Sequence, residues 1–592
     1  MSKAAVDEKL PAWDLSDLYG GPKASEIESD FKRAEELSKD FATRYQGKLT
    51  DIGGDTLGEA IAAYETITEI LYKAMSYAQL LYAADVGDGE RGRFYQTTQE
   101  RVTDISTATL FFRLELNRLS DDVLDKHLES AKAAHYSPWI RDVRAFREHQ
   151  LSDDLEKLLH EKSVSGRAAW IRLFDETEAA LRFPLDGKDL SMSDVLNLMS
   201  DKDGGQRKKA AKVLGRVLGD NIKLFSLVTN TLAKDKAIED TWRSYPRPIS
   251  ERNLSNQVED EVVEALVASV RSSYPKLSHR YYRLKAKWFG VDALDYWDRN
   301  APLPDDDARS YGWGDARRTV LDAYGRFEPK LAEIADRFFD KRWIDAELRQ
   351  GKDSGAFSHS TVPSVHPYIL MNFHGKARDV MTLAHELGHG VHQVLSGPQG
   401  TLMADTPLTT AETASVFGEM LTFRSLLDAE DDPARRRILL AGKVEDMLNT
   451  VVRQIAFHSF ETRVHDERTN GELPPERLGD IWMDVQGESL GDAIRFDDDY
   501  RSYWAYIPHF VHSPFYVYAY AFGDCLVNSL YDVFQCGHAG FQEKYLDMLS
   551  AGGTRRHKEL LAPFGLDAAD PEFWNRGLGI VAGFVDELEK LE

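Results

Sequence analysis

Apolar residues recur every three or four positions along most of the chain, which is the spacing of one face of an α-helix. Between residues 27 and 45 they form a single stripe with charged residues on the other side: Ile27, Phe31, Ala34, Leu37, Phe41 and Tyr45. Similar stripes continue to about residue 180, and no fixed repeat of about 20 to 50 residues accompanies them. The pattern predicts a mainly α fold that is not a helical repeat array.

Strand-like segments are scarce, and the clearest two are close together in the sequence. "HPYILMNF" (366–373) is a short apolar run bounded by proline and glycine, and "GAFSHST" (355–361) is a candidate partner. Both precede an amphipathic helix, for which Asp379 is a candidate N-cap and Gly397 a candidate stop. We therefore expect a small β-sheet beside this helix.

Glycine and proline interrupt the helical pattern between residues 184 and 205. A chain of 592 residues is too long for one core. We therefore predict an N-terminal helical domain at 1–200 and a second domain at 201–592. A further interruption at 299–315 is predicted to be a loop within the second domain.

Charge and composition limit the classes of partner that this protein is expected to bind. The net charge of −25 argues against a nucleic-acid-binding role. No apolar run approaches the roughly 18 residues that a membrane-spanning helix needs. The only cysteines, Cys525 and Cys536, offer no disulfide framework, and the first residues lack the apolar core of a signal peptide. These features predict a cytoplasmic protein without nucleic-acid or membrane partners, and they leave its oligomeric state open.

The stretch "LAHELGHGVHQ" (383–393) contains the pattern H-E-x-x-H. His385 and His389 are one helical turn apart, so both imidazoles can converge on one metal ion. Glu386 lies beside them and can contact a water on that ion. The alternative is a set of histidines without a metal, but unpaired polar groups on so apolar a helix would cost stability.

His392 is on nearly the same helix face, yet it is predicted not to be a ligand. A helix rises about 1.5 Å per residue, so His392 lies roughly 10 Å along the axis from His385. Zinc–nitrogen bonds are only about 2 Å long. Enzymes that use three histidines place a glycine at this position and a histidine three residues later, where this chain has Leu395. The third ligand must therefore come from another segment.

"TTAETASVFGEMLTFRSLL" (409–427) supplies the best candidate. Thr409 or Thr410 can cap a helix with Glu412 in its first turn and Glu419 two turns further on. Two histidines, Glu412 and one open position would complete a catalytic zinc site. The alternative for Glu412 is a helix-start glutamate that the helix dipole stabilises. Glu419 is predicted to be a hydrogen-bond partner of a ligand histidine.

The segment "YWAYIPHFVHSPFYVYAYAFG" (503–523) crowds aromatic side chains around His509 and His512. It is either an aromatic core around a buried helix or the wall of a cleft, where water can satisfy its many hydroxyl groups. We expect His512 to be structural.

"HELGH" followed by "ETASVFGE" resembles the thimet oligopeptidase-like zinc metallopeptidases, and specifically their oligoendopeptidase F branch. The segments "PYILMNFHGKARDVMTLAHELGHGVH" and 503–523, "LDAADPEFWNRGL" near the end and "AWDLSDLY" near the start are also similar to that branch, so the resemblance covers nearly the whole chain. It implies a helical, zincin-like fold with a deep channel between two lobes, which admits short unfolded peptides.

The resemblance also implies roles for individual residues. His385, His389 and Glu412 would hold one Zn²⁺ ion, and Glu386 would be the general base. In the aromatic segment, His509 and Tyr518, followed by Tyr516, match positions that contact the scissile carbonyl and the substrate backbone.

The predicted function is that of a zinc metalloendopeptidase, an oligopeptidase that hydrolyses internal bonds of short unstructured peptides. An extended substrate could pair with either strand-like segment by adding itself as a further strand. One alternative is a related helical zinc carboxypeptidase, which would need a basic residue to anchor the C-terminal carboxylate of its substrate. The other is a non-catalytic peptide-binding protein.

Overall fold

The computed structural model describes residues 9–163, 165–304 and 310–591. Helices dominate it, as the apolar stripes predict. The α-helices are α1 (Ser25–Tyr45), α2 (Gly54–Ala83), α3 (Gly89–Thr107), α4 (Leu110–Arg118), α5 (Asp121–Leu128), α6 (Ala131–Ala134), α7 (Ser137–Arg144), α8 (Asp153–Ser163), α9 (Arg167–Ala180), α10 (Met192–Leu198), α11 (Gly204–Asp220), α12 (Ile222–Trp242), α13 (Ser250–Ser255), α14 (Asp260–Ser273), α15 (Ser278–Trp288), α16 (Trp313–Phe327), α17 (Pro329–Asp340), α18 (Ala377–Ser396), α19 (Leu408–Ala411), α20 (Ser415–Asp428), α21 (Pro433–Thr450), α22 (Val452–Arg468), α23 (Pro475–Leu490), α24 (His509–His512), α25 (Tyr518–Gln535), α26 (Phe541–Ser550), α27 (His557–Leu561) and α28 (Pro571–Lys590).

The strands are short. They are β1 (Phe183–Leu185), β2 (Lys188–Leu190), β3 (Leu294–Asp295), β4 (Ile344–Asp345), β5 (Phe357–His359), β6 (Tyr368–Leu370) and β7 (Ile494–Arg495). Short 3-10 helices lie at Leu15–Asp17, Arg147–His149, Tyr274–Lys276, Tyr296–Asp298, Gly397–Gln399, Asp498–Tyr506, Gly552–Thr554 and Ala562–Phe564. Among the described residues, every helix is too short or too polar to span a bilayer.

The chain forms two compact units, and each is assembled from three separate stretches. The first contains the described parts of Met1–Arg147, Ala308–Ala429 and Gly537–Gly565, and the second those of Glu148–Asp307, Glu430–Cys536 and Leu566–Glu592. The division into domains at 1–200 and 201–592 rests on the glycine and proline residues that interrupt the helical pattern, and it stays a prediction. Of the predicted loop at 299–315, residues 305–309 lie outside the described part, and α16 begins at Trp313.

A three-stranded sheet in the first unit confirms the predicted strand pair and adds one strand. β5 pairs antiparallel with β6, placing Ser358 opposite Ile369. β4 pairs parallel with the other edge of β6, placing Ile344 opposite the same residue. The side chains of β6 are fully buried, so it is the central strand of the sheet. Helix α18 packs against β5 and β6, which puts the sheet beside the H-E-x-x-H helix as expected.

Helix α18 is held by its apolar face, which packs against neighbouring helices. Val380, Leu383, Ala384, Leu387 and Val391 are buried, and a buried leucine or valine contributes about 1.5–3 kcal/mol. The helix packs against α16, α17, α20 and α26 of the same unit. It stops at Ser396, before Gly397, as predicted.

The start of α18 differs from the prediction. Asp379 is the third residue of the helix rather than its N-cap. Its carboxylate accepts hydrogen bonds from the backbone N–H groups of His374, at 2.8 Å, and Lys376, at 2.9 Å. An acidic side chain in the first turn can satisfy backbone donors ahead of the helix, so Asp379 still stabilises this end.

A β-hairpin occupies part of the predicted interruption near residue 184. β1 and β2 pair antiparallel, and Asp186 and Gly187 between them have φ angles of +47° and +80°. Two successive residues with positive φ are typical of the type I′ turn, for which Asp-Gly is a favoured sequence. In the same unit β3 and β7 form a short parallel pair.

Candidate active site

Helix α18 presents the three residues of the H-E-x-x-H pattern at one place on its surface. The rings of His385 and His389 have centroids 4.9 Å apart and are nearly perpendicular. Both imidazoles are partly exposed, whereas Glu386 is buried. The four-residue spacing therefore brings both imidazoles together, as the helical period predicts.

Glu412 joins these histidines, but from a different local structure than predicted. Thr409 and Thr410 lie inside the short helix α19, and α20 begins only at Ser415, so Glu412 lies in the turn between two helices. Its carbonyl accepts the backbone N–H of Val416 at 3.1 Å. The Ser415 hydroxyl donates to the Glu412 carboxylate at 2.6 Å. The turn therefore fixes both the backbone and the carboxylate of Glu412.

Distances within the cluster fit a metal ion. Glu412 Oε2 lies 3.4 Å from the Nε2 atom of His385 and 3.4 Å from that of His389. Charged N–H···O hydrogen bonds are shorter, about 2.7–2.9 Å. Ligand atoms at tetrahedral corners about 2.0–2.1 Å from a central ion are about 3.3–3.4 Å apart. One ligand atom from each of the three residues lies within 4.8 Å of the others, so the group could hold a metal ion.

Glu419, on α20, contacts the other side of one imidazole. Its Oε2 atom lies 3.2 Å from Nδ1 of His385, which leaves Nε2 directed at Glu412. Burial acts to lower the pKa of His385, but the hydrogen bond to Glu419 and the nearby carboxylates outweigh it and raise the pKa to about 9. A carboxylate behind a ligand histidine fixes the ring and increases its basicity.

Glu412 and Glu386 have pKa values shifted in opposite directions. Burial acts to raise the pKa of Glu412, but His389, His385 and Ser415 lower it to about 2. Burial raises the pKa of Glu386 and is only partly offset by the same two histidines. Glu412 is therefore held ionised, while Glu386 is brought closer to the range in which it can exchange a proton.

Strand β5 is fastened to α18 beside this carboxylate. Ser358 contributes a backbone hydrogen bond to Glu386. Its hydroxyl donates to the side-chain carbonyl of Gln393 at 2.9 Å, and the Gln393 amide donates back to the Ser358 carbonyl at 3.3 Å. Neither residue belongs to a recognisable sequence motif, although Gln393 is one turn after His389 and so on the same helix face.

Gly388 lets the Glu412 turn approach the helix. A Cβ atom at this position would lie 2.5 Å from the Cα atom of Ser415 and would also collide with the Ala414 carbonyl oxygen.

His392, by contrast, is buried outside the cluster, as the helix rise predicts. Burial lowers the pKa of His392 to about 4, so it remains a neutral core residue.

A cavity of about 470 Å³ opens beside the cluster. His385, Glu386 and His389 line one side, and β5 and residues 404–406 line the others. The volume lies in the range of ligand-binding cavities, roughly 300–1,000 Å³. Polar side chains from this unit alone therefore surround a space that a substrate group can enter.

The aromatic segment belongs to the second unit, where its residues have different surroundings. His509 Nε2 lies 3.3 Å from the Tyr520 hydroxyl, and the rings of His509 and Tyr516 stack at a centroid distance of 6.3 Å. These three side chains are partly exposed. Tyr518 is completely buried, and its hydroxyl accepts a hydrogen bond from the Asn256 amide at 2.9 Å. Tyr520 is an additional polar partner that the sequence analysis did not assign.

A strained backbone follows His512 in this segment. Phe515 has φ of +58°, which is uncommon for a residue with a bulky side chain. Its N–H donates to the buried Glu461 carboxyl group at 2.9 Å, and Arg252 Nε donates to the Pro514 carbonyl at 3.2 Å. Burial raises the pKa of Glu461 to about 8. No sequence motif indicates these two hydrogen bonds, which hold the backbone at Pro514 and Phe515.

His512, which we expect to be structural, makes two contacts with α9. Its Nε2 atom lies 2.7 Å from the Asp175 carboxylate, and its ring makes an edge contact with Phe174. Both contacts are with α9 of the same unit.

Comparison with known families places these residues in context. The model of peptidase family M3 matches residues 326–580, which include the H-E-x-x-H helix, Glu412 and the aromatic segment. A second model, described as oligopeptidase F, matches residues 115–183. Together the two matches span more than half of the chain. The chain belongs to peptidase family M3.

Two relatives of this M3 peptidase are similar to it over nearly its whole length. It is 27% identical to the oligopeptidase PepF of Bacillus subtilis, over 98% of this chain and 87% of that protein. It is also 27% identical to an oligoendopeptidase F homolog of Lactococcus lactis, over 99% of this chain and 98% of the relative. The chain is accordingly a metallopeptidase that hydrolyses peptides.

Solved structures share the helical fold of this M3 peptidase. The oligoendopeptidase-F of Enterococcus faecium superposes with a TM-score of 0.72 at 23% identity, covering 96% of this chain and 99% of the other. PZ peptidase A, solved with an inhibitor, gives a TM-score of 0.74 at 14% identity, covering 98% and 100%. At these identities the likeness establishes the fold: mainly helical with small sheets.

Proposed function

We propose that the chain is a zinc-dependent oligoendopeptidase that hydrolyses internal bonds of short, unstructured peptides. One Zn²⁺ ion would be held by His385, His389 and Glu412, and Glu386 would be the general base. The observation that carries the proposal is the pair of 3.4 Å separations between Glu412 and the two imidazoles, beside a buried carboxyl group.

The donor set suits zinc. Two imidazole nitrogens and one carboxylate oxygen, with a fourth position open, are typical of catalytic rather than structural zinc sites. When bound, the ion would supply Lewis acidity towards the scissile carbonyl and the attacking water. Glu419 would orient His385, and Ser415 would orient Glu412.

Glu386 is placed to move the proton. It would accept a proton from the attacking water on its carboxylate and later deliver it to the leaving amine. Its raised pKa favours the uptake of the proton, because it makes the carboxylate a stronger base. The hydrogen bond from Ser358 would hold the carboxylate in position.

Strand β5 is the better candidate for pairing with an extended substrate. β6 is hydrogen-bonded on both sides, by β4 and β5, whereas β5 is at an edge of the described sheet and lines the cavity. Main-chain pairing at an edge strand would be compatible with many substrate sequences.

We also propose that His509 and Tyr516 donate hydrogen bonds to the developing oxyanion or the substrate backbone. Support comes from the resemblance of their segment to the family and from their partial exposure. Tyr518 has less support for this role, because its buried hydroxyl is already bonded to Asn256. An oxyanion donor contributes about 2.7–4 kcal/mol in other enzymes.

The rival activities make different demands. A carboxypeptidase needs a cation for the C-terminal carboxylate, and the cavity beside the ligand residues has no lysine or arginine among its described lining. A binding protein without catalysis would not need a ligand set and a general base arranged together. Both features favour internal cleavage.

An internally quenched peptide that is blocked at both ends tests the activity. We expect internal cleavage that a chelator abolishes and zinc restores. Cleavage restricted to peptides with a free C-terminus would instead identify a carboxypeptidase, and peptide binding without cleavage in the presence of zinc would identify a binding protein.

Two variants test the residue roles. Glu386→Gln should retain zinc and lose turnover by at least the roughly 10²–10⁴-fold that general-base catalysis supplies. Glu412→Ala should lose zinc as well as activity. Glu36→Gln, at an exposed position of α1, is the matched control and should retain both. Normal zinc content in Glu412→Ala would refute the proposed ligand set.

A further inference from the structure

Asp405 lies where two cavities of the first unit meet. One is the 470 Å³ cavity beside the H-E-x-x-H residues, and the other has a volume of about 360 Å³. Gln393, Ser396, Ala404 and Asp405 line both. A group that extends from the candidate active site into the second cavity would therefore lie beside these shared residues, of which Asp405 carries the only charge.

The side chain of Asp405 is accessible from these cavities and yet surrounded by protein. Asp405 is exposed to solvent, yet the protein around its carboxyl group removes some of its hydration and raises its pKa, and no charged neighbour opposes that shift. Among the described residues it makes no ion pair. A carboxylate that is partly removed from water without a cation is unfavourable, so a positively charged ligand would stabilise it.

The arginine in the described lining of the second cavity is already engaged elsewhere. Arg337 lines the second cavity, but its guanidinium lies over the Trp343 ring, 5.3 Å from the centroid. The first cavity has no lysine or arginine among its described lining residues. Within the described part of its own unit, Asp405 therefore forms no ion pair with a cation, and its carboxylate would repel an anionic substrate group.

We infer that Asp405 is a specificity-determining residue that binds a cationic group of the peptide beside the cleavage site. The group is the side chain of arginine or lysine or the free N-terminal ammonium of the substrate. This inference rests on the proposed peptidase activity and names its substrate class, basic oligopeptides. The contact would be a charge-assisted hydrogen bond, which is stronger than a bond between neutral groups.

Matched peptides test the inference. A doubly blocked, internally quenched peptide is made with arginine at each position in turn, and each version is compared with one carrying citrulline, a neutral group of nearly the same shape. At one position we expect the arginine peptide to have a kcat/KM at least about 10-fold higher. Comparing free and acetylated N-termini in the citrulline series identifies the ammonium as the alternative source of charge.

The Asp405→Asn variant assigns the preference. It should reduce the ratio between the charged and neutral peptides to about one, mainly by slowing the charged peptide. Asp428→Asn removes the same charge from an exposed position of α20 and should keep the wild-type ratio. Equal rates for charged and neutral peptides in the wild type, or an unchanged ratio in Asp405→Asn, would overturn the inference.

Binding measurements separate this inference from the proposed reaction. The same peptides, labelled with a fluorophore, are titrated by anisotropy into the Glu386→Gln protein and into the Glu386→Gln/Asp405→Asn double variant. Tighter binding of the charged peptide that disappears in the double variant supports the role of Asp405, even if the wild type cleaves nothing. Equal affinities for both peptides refute that role, even if chelator-sensitive cleavage is found.

Discussion

Replacing Gly388 with alanine should weaken metal binding without removing a ligand. Gly388 is on α18 between His385 and His389, and it faces the turn that carries Glu412. The new Cβ atom would lie 2.5 Å from Ser415 Cα, and backbone atoms of the turn cannot rotate away as a flexible side chain could. The helix and the turn must therefore separate.

The size of that separation follows from the contact distance. Van der Waals contact begins at 3.4 Å, so the turn must move by about 0.9 Å to clear a Cβ that now lies 2.5 Å away. Ligand positions in metal sites tolerate only about ±0.2 Å. We therefore expect a loss of zinc affinity of at least about 10-fold, comparable with the 10–100-fold effect of disturbing residues behind the ligands. Overpacking should also cost about 1–3 kcal/mol of stability.

Competition with a chromophoric chelator measures the affinity, and thermal unfolding of the zinc-free protein measures the packing cost separately. Gly325→Ala on α16 is the matched control, because its Cβ would meet only Ala332 at 3.5 Å. That variant should keep wild-type affinity, and alanine in a helix interior should stabilise it by up to about 1 kcal/mol. Wild-type zinc affinity in Gly388→Ala would show that the close approach does not position Glu412.

Three further predictions concern other parts of the molecule. Glu419→Gln should lower zinc affinity about 10–100-fold while His385 remains a ligand, and unchanged affinity in the same chelator competition would contradict its orienting role. Zinc at 1,000 times its Kd should stabilise the protein by about 4.1 kcal/mol, so a chelator should lower the Tm of the wild type but not that of Glu412→Ala. Glu461 has a folded pKa of about 8 against 4.5, so its stabilising contribution is complete below pH 4.5 and is lost as the pH rises through 8. That shift corresponds to roughly 5 kcal/mol, so Glu461→Gln should unfold at a progressively higher temperature than the wild type between pH 5 and 9. The exposed Glu472→Gln should follow the wild type, and a constant difference in Tm between Glu461→Gln and wild type would show that Glu461 does not titrate in this range.

Periodicity was sufficient where one helix face decides the structure. The stripe from Ile27 to Tyr45 is the buried face of α1, apart from the partly exposed Leu37. The apolar run before the H-E-x-x-H helix likewise became β6, with β5 as its partner. The β1–β2 hairpin was missed although Asp186-Gly187 is a favoured turn sequence, because its three-residue strands are too short for alternation to be recognised.

The residues of the candidate site also fall into those that sequence spacing predicts and those that it does not. Helical spacing is enough to join His385 to His389 and to exclude His392, since both conclusions need only the geometry of one helix. Glu412 could be selected by its chemistry, but its place in a turn depends on how closely Gly388 lets a second segment approach. Ser358 and Asp405 come from segments whose positions only tertiary packing fixes, so no spacing in the sequence identifies them.

The surroundings of the two glutamates in the cluster shift their pKa values in opposite directions. Glu412 is surrounded by two imidazoles and the Ser415 hydroxyl, which together outweigh its burial and hold its pKa near 2. Glu386 is buried with less compensation, so its pKa moves upwards instead. A ligand must stay ionised throughout the reaction, whereas a general base must take up and release a proton. Opposite shifts in adjacent carboxyl groups are the pattern that separates such roles in enzymes, and here they support Glu412 as the ligand and Glu386 as the base.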